Sequence, residues 1–120
     1  MEVPGDFVLI NVPAFLKRNR SRSWRDEILT MFSTLCRFLQ ENGLVTTHLI
    51  DEGQQVSDTL EVRRNEFTEE GFEFYRTGVQ KWLAATDRGT PLDDTQILER
   101  ELKKLRAEKS NPEIGTESSN

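Results

Sequence analysis

The chain offers one cysteine and one histidine as candidates for a catalytic nucleophile and base. Cys36 lies in an apolar segment with helical spacing, and His48 lies in a run of β-branched residues. A zinc site needs several His or Cys ligands, and a Cys–His or Ser–His–Asp site needs a recognisable nucleophile motif. We therefore interpret Cys36 as a small core residue and His48 as a surface residue. The sequence predicts no metal site and no cofactor.

Carboxylates are the other groups that could act as acid and base. Glu69, Glu70 and Glu73 are close in sequence, but they begin a predicted helix, where the helix dipole favours negative charge. We interpret them as helix-start charges on a solvated face. No glycine-rich phosphate loop precedes a helix. The sequence therefore predicts a protein that is not an enzyme.

Charge is unevenly distributed along the chain. The 16 Lys and Arg and 21 Asp and Glu residues give a net charge of −5. Five of the cations, and no acid, fall within residues 17–25, so the other 111 residues carry a net charge of −10. An acidic body repels the nucleic-acid backbone and attracts a basic protein. We therefore expect a basic protein partner.

The cationic segment has two interpretations. Its side chains could clamp phosphates while an interleaved tryptophan stacks on a base, which makes nucleic acid an unlikely but open partner. Alternatively, the segment is a solubilising linker whose cations balance the acidic body. We call this segment the basic strip; it consists of Lys17, Arg18, Arg20, Arg22, Trp24 and Arg25.

A long helix is predicted over residues 23–42. Ser23 can cap its start, and Asn42-Gly43 supplies the left-handed residue that ends such a helix. Apolar residues recur there at spacings of three and four. They are Ile28, Met31, Phe32, Leu35, Phe38 and Leu39.

Two further helices are predicted over 67–86 and 93–109. Thr68 is the expected N-cap of the first, and Asp93 with Gln96 reads as a capping box for the second. Gly71 and Gly78 interrupt the first helix, and we expect them to let a neighbouring element approach closely. The apolar positions are Phe72, Tyr75, Val79, Trp82 and Leu83 in the first helix and Leu98, Leu102 and Leu105 in the second.

The extended segments are shorter. Phe7–Ile10 predicts a strand or arm, followed by a short helix in which Pro13 suits the first turn. Leu44–Ile50 and Thr59–Arg63 are rich in β-branched or alternating residues, and the polar segment 51–55 contains the glycine that a turn favours. These features predict a wing-like β-hairpin with a solvated tip.

Together these elements predict a small single α+β domain over residues 1–109, with a disordered tail over 110–120. The longest apolar run has four residues, far short of the roughly 20 that cross a bilayer, so no membrane association is expected. The first residues lack the pattern of a signal peptide, and the lone cysteine fits a reducing compartment, so we expect a cytoplasmic protein. No feature predicts an oligomeric state.

Residues 39–75 resemble the end of a winged-helix domain. The resemblance rests on Leu39-Gln40-Glu41-Asn42-Gly43-Leu44-Val45 before the predicted hairpin and on Phe67-Thr68-Glu69-Glu70-Gly71-Phe72 after it. It implies that the exposed face of the long helix enters the major groove of DNA. That face contains Ser33, Thr34, Arg37 and Gln40. The resemblance supports an alternative function as a DNA-binding or transcription-associated protein.

Residues 67–105 resemble small bacterial immunity proteins that accompany secreted toxins. The similar features are Thr68-Glu69-Glu70-Gly71, Lys81-Trp82-Leu83, Asp87-Arg88-Gly89 and the closing helix from Leu98 to Leu105. The resemblance implies a cytoplasmic, non-enzymatic, acidic protein that covers the basic active site of a nuclease toxin. We expect the contact to use an acidic surface formed by Asp51, Glu52, Asp58, Glu61, Glu66, Glu69, Glu70 and Glu73.

Overall fold

The computed structural model describes residues 7–18 and 21–110 and shows an α+β fold, which confirms the predicted class. Arg20 of the basic strip and residues 111–120 of the predicted tail lie outside the described residues. The regular elements, in chain order, are strand β1 (Val8–Asn11), helix α1 (Val12–Leu16), helix α2 (Arg22–Glu41), strand β2 (Glu61–Arg63), helix α3 (Glu69–Phe74), helix α4 (Gln80–Asp87) and helix α5 (Gln96–Ser110).

The sheet has two antiparallel strands, β1 and β2, with Ile10 opposite Val62. The prediction of an antiparallel pair is confirmed, but the predicted pairing partner, residues 44–50, is wrong. That segment forms only one isolated bridge, from Val45 to Phe67. Leu44 and Ile50 are buried in the core, and the Gln40 side chain of α2 binds the backbone of Leu49 and Ile50 in place of a strand.

Helix α2 is the predicted long helix. Its N-cap is Ser21, whose hydroxyl accepts the Trp24 N–H at 3.1 Å, so the predicted cap at Ser23 is wrong by two residues. The helix ends at Glu41 with Asn42 as its C-cap, and Gly43 follows with a φ of +68°, as expected for a helix stop. The predicted apolar stripe is buried along its full length.

Helices α3 and α4 form one rod, because the π-helical turn that joins them, Tyr75–Val79, keeps helical backbone angles at both ends. Thr68 caps the rod as predicted, since its hydroxyl accepts the Gly71 N–H at 2.9 Å. The predicted close approach at both glycines is confirmed. A Cβ at Gly71 would overlap the Leu44 carbonyl. A Cβ at Gly78 would lie 2.8 Å from the Cβ of Glu101 in α5.

Helix α5 packs its leucines against this rod. It begins at Gln96, whose N–H donates to Asp94 Oδ1 at 2.9 Å, so the predicted capping box at Asp93 is wrong. A turn at residues 92–93 displaces the helix start by three residues. Leu98, Leu102 and Leu105 are buried in the same cluster as β1, α2 and α4. The apolar positions predicted for the three helices therefore form the core, except that Phe72, Tyr75 and Leu83 are only partly buried at its edge.

Candidate functional site

The long loop between α2 and β2 carries two adjacent, exposed members of the predicted acidic surface, Asp51 and Glu52. Two apolar side chains anchor it in the core, Ile50 with 4% exposure and Val56 with 5%. Between these anchors, residues 51–55 are all exposed. We call residues 51–55 the acidic tip. Gly53 lies there with a φ of +77°, and the Gln54 N–H donates to the Asp51 carbonyl at 3.1 Å, closing a turn.

Polar side chains on one face of α2 form hydrogen bonds with the backbone of this loop. The Gln40 side-chain oxygen accepts the N–H groups of Leu49 and Ile50 at 2.6 and 3.2 Å, and its amide donates to the Ile50 carbonyl at 2.9 Å. One turn earlier, Arg37 donates to the Gln54 carbonyl at 2.8 Å. The loop is therefore bound to the helix at its entry and at its tip.

The loop exit is held in the same way. Ser33 is 5% exposed; its hydroxyl donates to the Leu29 carbonyl at 2.6 Å and accepts the Val56 N–H at 2.9 Å. Arg25 then pairs with Asp58. Residues 33, 37 and 40 are spaced for one face of a helix, so a single stripe of side chains fastens the whole loop.

The resemblance to winged-helix domains assigned this same face to DNA. The prediction that the face is exposed is wrong at Ser33, which is buried, and Arg37 and Gln40 are only partly exposed and bonded to the loop. Thr34 donates to the Thr30 carbonyl within the helix at 3.1 Å. The loop therefore covers much of the side of α2 that the resemblance would place in a groove.

Three exposed members of the predicted acidic surface form no ion pair with a lysine or arginine among the described residues. Asp51 and Glu52 lie on the acidic tip, and Glu61 lies on β2, all exposed. Asp51 contacts His48, whose Nε2 lies 2.7 Å from the carboxylate. No ion pair joins Glu52 or Glu61 to another described residue. A small cleft of about 360 Å³ separates the tip from α2, and Glu41 also lines it.

The other five members are engaged within the fold. Asp58 pairs with Arg25, as above, and Glu66 accepts the Arg63 N–H at 2.8 Å and the Thr47 hydroxyl at 3.0 Å. Ion pairs hold the remaining three: Glu69 with Arg64 at 2.8 Å, Glu70 with Arg106 at 3.1 and 3.2 Å, and Glu73 with Lys109 at 3.0 Å. The structure therefore does not gather all eight residues into one unpaired acidic patch.

The basic strip is also divided. Trp24 donates its indole N–H to the Phe15 carbonyl at 3.0 Å, and the Arg18 guanidinium lies 4.3 Å from the centre of the Phe15 ring. The first of these contacts attaches α1 to the start of α2. With Arg25 paired to the loop, Lys17 and Arg22 are exposed cations of the strip that form no ion pair with another described residue.

The two candidate catalytic side chains are far from forming a site. Cys36 is fully buried in α2, and burial raises the pKa of its thiol to about 12. His48 is exposed on the loop. Among the described residues, no group of three or more His, Cys, Asp or Glu side chains could hold a metal ion.

A buried carboxylate that the sequence did not indicate lies where α5 crosses α4. Glu101 is 8% exposed, and Lys81 Nζ lies 3.1 Å from it, with Arg100 and Lys104 each at 3.6 Å. Burial raises the pKa of this carboxyl, but the hydrogen bond from Lys81 and the three positive charges outweigh it, so the net pKa is lowered. Its position in a charged stretch of helix gave no sign of burial.

This chain matches no protein-family model, and comparison with curated proteins and with solved structures finds no match. The resemblances to winged-helix domains and to immunity proteins therefore stay predictions. No helix in the described part of the chain is long and apolar enough to cross a membrane.

Proposed function

We propose that this protein is a non-catalytic, cytoplasmic protein-binding module that acts as an immunity protein and neutralises a cognate bacterial toxin. Its acidic tip would cover a basic active site on the toxin. The observation that carries the proposal is the contrast within the acidic surface. Asp51, Glu52 and Glu61 are solvent-exposed and form no ion pair with a lysine or arginine among the described residues, whereas the other five members of the predicted surface each bind a group elsewhere in the fold.

An exposed carboxylate loop suits capture of a basic protein. Charges that lie at the rim of an interface steer the encounter and raise the association rate at low salt. Arg37 is the cation nearest the tip along α2, and it donates to a loop carbonyl. Arg37 therefore does not neutralise the carboxylates of the tip, and these can attract the positive charges of a partner.

The decisive experiment is protection of cells from a toxin. Each toxin domain encoded beside this gene is expressed from an inducible promoter, with and without this chain, and survival is counted. We expect one domain to kill cells alone and to be harmless when the chain is present. Absence of both protection and binding for every such domain would overturn the proposal.

A matched pair of variants separates the location of charge from its total. Asp51→Lys with Glu52→Lys changes the net charge by +4, and so does Asp26→Lys with Glu108→Lys, at two exposed acids away from the loop. We expect the first variant to associate at least about tenfold more slowly with the toxin at low salt, and the second to stay near wild type. Equal slowing would mean that only net charge matters.

The same purified protein tests the alternative of DNA binding. Binding to duplex DNA that weakens steeply with salt, and that is lost in Lys17→Glu with Arg22→Glu, would favour a nucleic-acid role for the basic strip. Such binding without protection from any toxin would contradict the proposed function.

A further inference from the structure

We infer that Gln40, Arg37 and Ser33 are positioning residues that hold the acidic tip in one conformation before any partner binds. The role of the tip in binding rests on the proposed function. The order of the tip is a property of the free chain, so it can be measured separately.

Gln40 makes the strongest case. Its amide forms three hydrogen bonds to the backbone of Leu49 and Ile50, and it binds both the N–H and the carbonyl of Ile50, as a strand neighbour does at a hydrogen-bonded antiparallel pair. One of those residues, Ile50, is buried, and a buried backbone group without a partner is costly. Strand β2 pairs with β1, so no strand lies beside Leu49 and Ile50. The side chain of Gln40 binds their backbone groups instead.

Arg37 and Ser33 extend this support across the tip. Arg37 binds the Gln54 carbonyl at 2.8 Å, next to the turn at Gly53. Ser33 binds the Val56 N–H from a buried position, immediately after the tip. The exposed residues 51–55 are thereby fixed at both ends and near the middle.

Such support changes the rates of binding in a recognisable way. A loop that is already ordered loses less conformational entropy when it binds, and the gain appears mainly in slower dissociation. The charges of Asp51 and Glu52 act instead on association. The three supporting side chains and the two carboxylates should therefore affect different rate constants.

The first experiment is hydrogen exchange on the free chain. We expect Gln40→Ala to speed exchange at the Leu49 and Ile50 amides at least about tenfold, because both lose their acceptor. Gln55→Ala is the matched control. It also removes a glutamine amide, but from an exposed position on the tip whose side chain forms no hydrogen bond with another described residue. Equal exchange in both variants would overturn the inference.

Ser33→Ala gives a second variant in case Gln40→Ala unfolds the protein. It removes the acceptor of the Val56 N–H, and we expect that amide to exchange at least about tenfold faster while α2 keeps its protection. Unchanged exchange at Val56 would overturn the inference for the loop exit.

The second experiment uses the toxin domain that passes the protection assay. We expect Gln40→Ala to raise its dissociation rate about tenfold and to leave its association rate within about twofold. A loosened loop with an unchanged dissociation rate would overturn the positioning role and leave the proposed function standing. If no toxin domain passes, the proposed function fails, while hydrogen exchange still decides whether these side chains order the tip.

Discussion

At the scale of single residues, Gly71 joins the rod of α3 and α4 to the loop that follows α2. The Leu44 carbonyl occupies the space that a side chain would need, and it also accepts the Thr68 N–H at 3.0 Å. Gly71→Ala would raise helix propensity, but the methyl group would have to displace backbone. We expect a net loss of about 3 kcal/mol in the free energy of unfolding, measured by urea denaturation.

The control for this substitution is Ala84→Gly in α4, at an exposed position. It should cost about 1 kcal/mol through helix propensity alone. If Gly71→Ala were instead stabilising, the close approach at this position would be wrong.

The thiol of Cys36 allows a prediction about reactivity. Burial raises its pKa to about 12, so between pH 7 and pH 9 almost none of it is thiolate, and the sulfur lies out of reach of solvent. We expect alkylation by iodoacetamide at pH 8.5 to be at least about 100-fold slower than that of a free thiol, and to become fast in denaturant. Mass spectrometry measures both rates. Rapid labelling of the native protein would show that α2 opens readily.

At the scale of elements, the packing of α5 against α4 depends on pH through Glu101. Despite burial, the hydrogen bond from Lys81 and the neighbouring positive charges hold the pKa of this carboxyl below its usual value of 4.5 in the folded protein, so folding favours the ionised form. The sign follows from linkage: the stabilisation is present above pH 4.5 and is lost as the pH falls through the lowered value. We expect Glu101→Gln to flatten the decline in stability below pH 5, measured by urea denaturation at a series of pH values.

Glu108→Gln is the control for that series, because it removes a carboxylate from an exposed position of the same helix. It should leave the decline with acid close to that of wild type. An equal flattening in both variants would assign the effect to net charge rather than to the buried ion pairs.

At the scale of the whole molecule, local patterns predicted the helices and their buried faces well but misplaced two of the three N-caps, and the strand pairing was predicted wrongly. The spacing of Phe32, Leu35 and Leu39 and the cap at Thr68 depend only on near neighbours, and all are confirmed. The partner of β2 lies about fifty residues away, and several segments had a suitable β pattern. The role of Gln40 depends on which segment pairs with β2. Its amide binds the backbone of Leu49 and Ile50 because β2 pairs with β1 rather than with residues 44–50.

The acidic surface shows the same contrast between what local sequence predicts and what depends on long-range contacts. Composition indicated an excess of carboxylates, but it could not show which of them would find a cation. The partners of Glu70 and Glu73, Arg106 and Lys109, come from a helix about 36 residues later. Only the fold separates the carboxylates that hold elements together from those, such as Glu52, that face solvent and form no ion pair within the described part of the chain.

The buried residues of β1, α2, β2, α4 and α5 belong to one cluster, which predicts a single cooperative unit. Leu98 is fully buried where α5 meets α4, so Leu98→Ala should cost about 2–5 kcal/mol. Trp82 is also fully buried and donates its indole N–H to the Asp94 carbonyl at 2.8 Å, so its near-ultraviolet signal, measured with Trp24 replaced by Phe, reports on that junction. We expect this signal and the far-ultraviolet helical signal to be lost at one urea concentration in wild type, and at one lower concentration in Leu98→Ala. Two separate transitions in either protein would show that α5 unfolds on its own, and the prediction of a single domain over residues 1–109 would then be wrong.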